Sequence, residues 1–232
     1  LMRAKEYADL IEDNIVTDNI ENYTPTLGSV PLLDKDSAML IANRKMGSLD
    51  DVVSQFEISD SEQITIKGKP YRVSVVEYAG FFKWLNNKKT GTPGYILVNM
   101  QTQVADLVRV EGGIKYSKSE YFSRDITRYL VFNNRTKMFG EITFELNDEG
   151  EPYWIAPIMD KKIGLFGGKD VVGVIVVNAI TGEMTEYDLD EIPSWVDNVY
   201  ESSLLMEQYD YYGKYQDGYF NSIFGSSSYL CI

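Results

Sequence analysis

"GVIVVNAIT", residues 173–181, has a near-copy in the same chain, "GYILVNMQT" at 94–102. The two agree at Gly, Ile, Val, Asn and Thr. A second pair lies upstream in the same order: "GKPYRVSVVEY" (68–78) and "GEPYWIAPIMD" (150–160) share Gly-x-Pro-Tyr. Matching order and spacing read as an internal duplication. Between the paired stretches the copies diverge. Gly80-Phe81-Phe82 runs on through "KWLNNKKTGTP", whereas Gly164-Leu165-Phe166 is followed only by "GGKDVV".

Each copy reads as antiparallel hairpins. "ITIKGKPYRVSV" alternates apolar and polar residues and breaks at Gly68-Lys69-Pro70, with proline at the start of a strand, where a missing N–H is tolerated. "FELNDEGEPYWI" repeats that design. "VIVVNAITGEMTEY" is a second hairpin whose turn is led by Asn178, with Gly182 free to take positive φ. Gln103 stands at the Gly182 position in the first copy, which predicts a looser or differently closed turn there.

Helical spacing follows each second hairpin. "KSEYFSRDITRYLVF" (118–132) places Tyr121, Phe122, Asp125, Ile126, Tyr129 and Leu130 on a helical pattern. "SSLLMEQYDYYGKY" (202–215) opens with capping serines and carries Leu205, Met206 and Tyr209 on one face. A short helix is expected at 80–87. Upstream, "MRAKEYADLIEDNI" reads as a short helix. "DKDSAMLIANRKMG" reads as another, acidic at its start, with Arg44 and Lys45 near its end and Gly47 as a stop. The expected fold is α+β: an N-terminal helical arm at 1–50, a first α+β module at 51–143 and a second at 144–228.

"GLFGGKD" (164–170) invites a phosphate-loop reading and fails it. Only three residues separate Gly164 from Gly168, Asp170 follows Lys169 where a hydroxyl is needed, and the β-branched run Val171–Val177 predicts a strand rather than a helix N-terminus. The glycines are expected to form a tight non-helical connector.

Composition excludes several chemistries. The 232 residues suffice for a proper core, and 44% are hydrophobic. A formal charge of -13 argues against nucleic acid, whose phosphates demand a basic surface. No histidine is present, which removes the usual neutral-pH base, the usual zinc ligand and the Ser-His-Asp arrangement. Cys231 is the single cysteine, so no intrachain disulfide or Cys-x-x-Cys site forms. No cofactor, nucleotide or transition metal is expected. No apolar run approaches the roughly 18–20 residues that span a bilayer. The chain opens at Leu1 rather than methionine, which fits an excised piece whose membrane anchor lies in flanking sequence.

The strand-turn-strand "GVIVVNAITGEMTEY" resembles the end of PepSY-type modules. With "PSWVDNVY" and "GKYQDGYFNSIFG", residues 30–225 resemble the extracytoplasmic region of uncharacterised membrane-anchored proteins of Gram-positive bacteria, some of colicin-V-production (CvpA) type. The resemblance implies a cell-envelope location and tandem PepSY-like modules. It supplies no catalytic residues. PepSY modules in protease propeptides restrain a protease, and that role transfers only by analogy of fold.

Two groups of residues stand out as sites. Asp148, Glu149 and Glu151 crowd one turn and Asp188, Asp190 and Glu191 another, but neither follows a calcium-loop ladder, and both read as solvated turns. Seventeen tyrosines are present, and "YDYYGKYQDGYF" concentrates them. Tyr211, Tyr212, Tyr215, Tyr219 and Phe220 are the candidate interaction surface or inter-module seam; a helix is expected to end near 212, before Gly213, with Tyr215, Tyr219 and Phe220 on an irregular strap beyond it. The function expected is a non-catalytic envelope module binding a protein or cell-wall partner. The alternatives are a PepSY-like protease regulator and a hydrolase using a carboxylate pair, the latter favoured if two carboxylates converge in a pocket.

Overall fold

The computed structural model describes residues 3–10, 33–164 and 167–215. It is α+β, with two five-stranded antiparallel sheets. The first comprises β1 (Phe56–Ile58), β2 (Glu62–Ile66), β3 (Lys69–Tyr78), β4 (Thr92–Asn99) and β5 (Ala105–Ile114), in the order β1-β3-β4-β5 with β2 also on β3. The second comprises β6 (Met138–Phe139), β7 (Thr143–Leu146), β8 (Pro152–Ile163), β9 (Gly167–Asn178) and β10 (Met184–Asp188), in the order β10-β9-β8-β6 with β7 also on β8.

Strand order and register coincide between the sheets. Tyr71 pairs with Asn99 and Val73 with Leu97, while Tyr153 pairs with Asn178 and Ile155 with Val176. The strands at 94–100 and 172–178 therefore hold equivalent places.

The Asn-led turns are also equivalent, which corrects the expectation for Gln103. Asn99 Oδ1 accepts from the N–H groups of Gln101 and Thr102, both at 2.9 Å, and Asn178 Oδ1 from those of Ile180 and Thr181 at 2.9 and 3.0 Å. Gln103 N–H closes on Asn99 O at 2.9 Å, and Gly182 N–H on Asn178 O at 2.8 Å. Gln103 adopts φ 57 and Gly182 φ 78. A left-handed non-glycine residue costs roughly 1–2 kcal/mol, and the asparagine bonds plus the ladder on either side outweigh that.

Three apolar layers hold the sheets. Val73, Val75 and Tyr95 of the first sheet share one core with Trp154, Ala156, Ile158, Ile175 and Val177 of the second. The other face of the first sheet (Val76, Ile96, Val98) is covered by Ala38, Ala42 and Met46 of α2 (Lys35–Gly47). The other face of the second (Ile155, Val174, Val176) is covered by Ile192, Trp195 and Val196. Val76, Ile96 and Val98 correspond in register to Ile158, Ile175 and Val177, so the sheets stack in the same sense rather than face to face.

Helices and sheets pair differently from expectation. Asp34 caps α2, accepting from Ser37 N–H at 3.2 Å, and α2 precedes the sheet it covers; α3 (Asp50–Val53) leads into β1. The region 118–132 is α-helical only in α5 (Ile126–Asn133), after a single 3-10 turn at Phe122–Arg124, because Asp125 caps the helix by accepting from Arg128 N–H at 2.8 Å. Ile126 and Leu130 enter the shared core. α5 thus precedes β6 as α2 precedes β1, so in each unit the helix comes before the strands. The 143/144 boundary does not separate the sheets either, since β6 pairs with β8.

At the connector, β8 runs to Ile163 and β9 starts at Gly167, with Gly164 in a turn at φ 62. Lys169 is a ladder residue paired with Lys161, so no helix N-terminus follows the glycines. α6 (Ser202–Tyr215) continues through Gly213, past its expected end, and buries Leu204, Gln208 and Gly213. Leu205 and Met206, expected on the inner face, are exposed. α1 (Ala4–Ala8) packs against α6, and Gln208 Nε2 donates to Lys169 O at 3.0 Å. This tertiary anchoring overrides the helix-weakening effect of glycine. Within the expected arm, α1 and α2 are thus both docked on the body.

Candidate functional site

The connector of the first copy folds as α4 (Phe81–Asn87), which has no counterpart in the second. Beside it lies the loop 117–125 that links the sheets. Buried Ser117 closes this loop: its N–H donates to Arg124 O at 3.3 Å, and its carbonyl accepts from Ile126 N–H at 3.1 Å. The Ser119 hydroxyl accepts from Tyr78 N–H at 3.2 Å, tying the loop to β3.

Glu120 points inward from this loop and is buried. Its carboxylate accepts from Trp84 Nε1 at 2.7 Å and from the Tyr78 hydroxyl at 3.1 Å, with Arg124 Nη2 at 3.5 Å. Arg124 also donates to Lys88 O at 2.5 Å, at the end of α4. Burial raises the Glu120 carboxyl above the usual range, against those bonds. Burial and the facing carboxylate likewise raise the Tyr78 hydroxyl.

With Glu120 turned in, Tyr121 and Phe122 turn out. Phe122 adopts φ 59, an uncommon conformation for a bulky residue and a store of strain on the order of 1–3 kcal/mol. The rings form a continuous set: Phe81–Tyr121 centroids at 5.2 Å, Trp84–Tyr121 at 4.9 Å, Trp84–Phe122 at 5.8 Å and Phe81–Phe82 at 5.8 Å. Phe82 is 78% and Phe122 65% exposed. A cleft of about 550 Å³ adjoins them, lined in part by Glu57, Tyr78, Lys118, Asp125 and Arg128. Lys88 lies over the Trp84 ring, 5.3 Å from its centroid, and Lys118 and Arg128 line the cleft alongside Glu57 and Asp125, so three cations border the patch on a chain of charge -13.

No family model, curated protein or solved structure matches this chain. The site therefore rests on its own geometry.

Of the tyrosines singled out in the sequence, Tyr211 and Tyr215 surround Tyr7 of α1, at centroid distances of 4.9 and 6.2 Å. The Tyr211 hydroxyl donates to Glu207 at 2.6 Å, and the Tyr212 ring lies 6.4 Å from Tyr209. Tyr211 and Tyr215 thus line a seam between α1 and α6, not between the sheets. Tyr219 and Phe220 fall outside the described residues. The acidic turns are local structure: Asn147 Oδ1 accepts from Glu149 and Glu151 N–H, and Asp188 O accepts from Glu191 N–H. Among the described residues no three His, Cys, Asp or Glu side chains are grouped to hold a metal ion, and no helix is long and apolar enough to cross a membrane.

Carboxylates do converge elsewhere. Asp60, Glu62 and Glu77 line a cleft of about 200 Å³ with Lys118, over Phe144 and Trp154. Asp60 is engaged by Lys35 at 2.5 Å, and Lys118 lies 5.6 Å from the Trp154 ring centroid. Burial raises both Glu62 and Glu77; Glu141 raises Glu62 further, and Lys118 opposes both shifts. A carboxyl whose folded pKa is raised stabilises the fold most below its unfolded pKa, and that contribution is lost as pH rises through the folded value. Glu77→Gln removes one such group. Denaturant unfolding of this variant should therefore gain on wild type as pH rises from about 4 to about 7. A difference that is flat or reversed would show that Glu77 is not held above its ordinary range.

The aromatic patch was not read from the sequence as a site. Phe81 and Phe82 counted only as a repeat match, and Tyr121 and Phe122 as a helix face. The usable signal was the length difference between the copies, because insertions in repeats gather on one face.

Proposed function

We propose that this chain is a non-catalytic binding module that docks an acidic partner protein through Phe81, Phe82, Tyr121 and Phe122. The observation that carries this is the exposed, mutually packed aromatic set with Phe122 held in a left-handed conformation. Exposed contiguous aromatics inside a polar rim mark interaction surfaces. Lys88, Lys118 and Arg128 favour a partner surface of opposite charge and oppose pairing of this patch with the same patch of a second copy. Matching strand order and register support a duplicated module, and a PepSY-like kinship and a cell-envelope location remain part of this proposal through the sequence resemblance. The cleft at Glu62 and Glu77 is the feature that favours a hydrolase. Its Asp60 is already paired with Lys35 and its one lysine offsets both glutamates, so it reads better as a polar end to the shared core.

A photo-crosslinking residue at Phe82 or at Phe122, in the protein produced in its own cells, should give the same protein adduct. The same residue at exposed Leu40 on α2 should not. Phe122→Gly should raise stability by about 1 kcal/mol through release of the backbone strain, while abolishing the adduct formed from Phe82. No adduct above the Leu40 control, or transfer of the protein to anionic vesicles in its place, would overturn the reading.

A further inference from the structure

A second, separate site lies on the outer face of the second sheet. The strap at 192–198 is pinned there by Glu145, which is fully buried and whose carboxylate accepts from Asp197 N–H at 2.7 Å and Asn198 N–H at 2.8 Å. The strap also reaches the first sheet, where Asn198 Nδ2 donates to Gln63 O at 3.3 Å. Held in this way, Trp195 sits 5.1 Å from the Tyr153 ring, centroid to centroid. Together with Asn147, Asn178, Glu183, Thr185 and Tyr187 these residues enclose a cleft of about 280 Å³.

The lining is neither a plain apolar core nor a charged cluster. Tyr153, Tyr187 and Trp195 are half-buried, Glu183 and Thr185 stand exposed at the rim, and among the described residues no protein group hydrogen-bonds the Thr185 hydroxyl, the Tyr187 hydroxyl or the Glu183 carboxylate. Register shows what is particular to this sheet. Tyr187 pairs with Val174, and its counterpart Val108 pairs with Tyr95; Thr185 pairs with Val176, and its counterpart Asp106 pairs with Leu97. The first sheet thus has valine where this one has Tyr187, and it has no counterpart of Trp195.

We infer that this cleft binds a saccharide ring. A pyranose presents an apolar C–H face that packs on an aromatic ring, and hydroxyls around its edge that pair with hydroxyl and carboxylate groups. A volume just below the usual ligand-pocket range of about 300–1,000 Å³ suits one or two sugar rings rather than a large cofactor. The site shares no lining residue with the cleft beside the Phe82 patch and does not depend on it.

Trp84 and Trp154 are buried, so a change in tryptophan fluorescence on titration reports chiefly on Trp195. Titration with chitotriose and, separately, maltotriose should give saturable quenching with at least one of them, which also separates an amino-sugar polymer from a neutral glucan. Tyr187→Val, which installs the residue of the first sheet, should weaken that affinity about tenfold or more while the variant still unfolds in one cooperative transition, its melting temperature lowered only by the lost packing on Val174 and Val176. Glu183→Gln should weaken it as well. No saturable change with either sugar at millimolar concentration, or quenching that survives Tyr187→Val undiminished, would overturn the assignment.

Discussion

Trp154→Ala should lose about 3–5 kcal/mol of stability, the range for truncating a buried tryptophan, out of a total of about 5–15 kcal/mol for a typical domain. Trp154 lies where the sheets meet. Its ring packs edge-on against Phe144 at 5.2 Å, its Nε1 donates to Tyr116 O at 2.8 Å, and Lys118 lies over its face. Truncation opens a cavity and leaves the Tyr116 carbonyl without that donor. Because the core contains Val73, Val75 and Tyr95 as well as Ala156, Ile175 and Val177, both sheets should lose stability together. Urea unfolding followed by far-ultraviolet dichroism and by fluorescence should give one coincident transition in wild type and variant alike. Two separated transitions, with only one shifted, would mean that the sheets are independent modules and that the shared core contributes little.

Glu120→Ala should cost a comparable amount, roughly 3–5 kcal/mol, as removing one partner from a buried charge pair does. The variant leaves Trp84 Nε1 and the Tyr78 hydroxyl without their acceptor and Arg124 without its ion-pair partner, beside the loop that presents Tyr121 and Phe122. Glu120→Gln keeps one acceptor oxygen and should lose less, on the order of 1–3 kcal/mol. Since burial raises the Glu120 carboxyl, wild type is most favoured below the unfolded pKa and loses that advantage as pH rises through the folded one. The penalty for glutamine should shrink accordingly on going from acid to neutral pH. Unfolding of both variants at two pH values checks this. Glutamine and alanine variants equally stable with wild type would mean that the Glu120 network does not hold the loop, and the geometry of the aromatic patch would lose its support.

Much of the chain was legible locally. Asn99 and Asn178 dictate their turns through side-chain bonds to N–H groups two and three residues on, and Asp34 caps α2 within one turn. The hairpins about Gly68 and Gly150, the strand through Val171–Val177 and the helix at 81–87 follow from alternation, turn residues and a break in the repeat. In each case the deciding contacts are a few residues apart, so the order of residues contains them. The matching strand order of the two sheets was legible for the same reason, because each strand pair meets its neighbour through a short connection.

What covers each face was decided only in three dimensions. Val73 and Val75 face one way and Val76 the other, and both faces are apolar, as are both faces along Val174–Val177. Alternation gives two burial surfaces per sheet but cannot say whether a helix, a strap or the other sheet lies on each. That choice joined α2 to the first sheet and α5 to the second, drew α6 through Gly213 along α1, and placed Gln103 in a left-handed turn. It also turned Glu120 inward to Trp84 and Tyr78, which are 36 and 42 residues away, and so turned Tyr121 and Phe122 out to solvent. Contacts of that separation depend on how whole layers stack, and a residue's near neighbours in the chain hold no record of it.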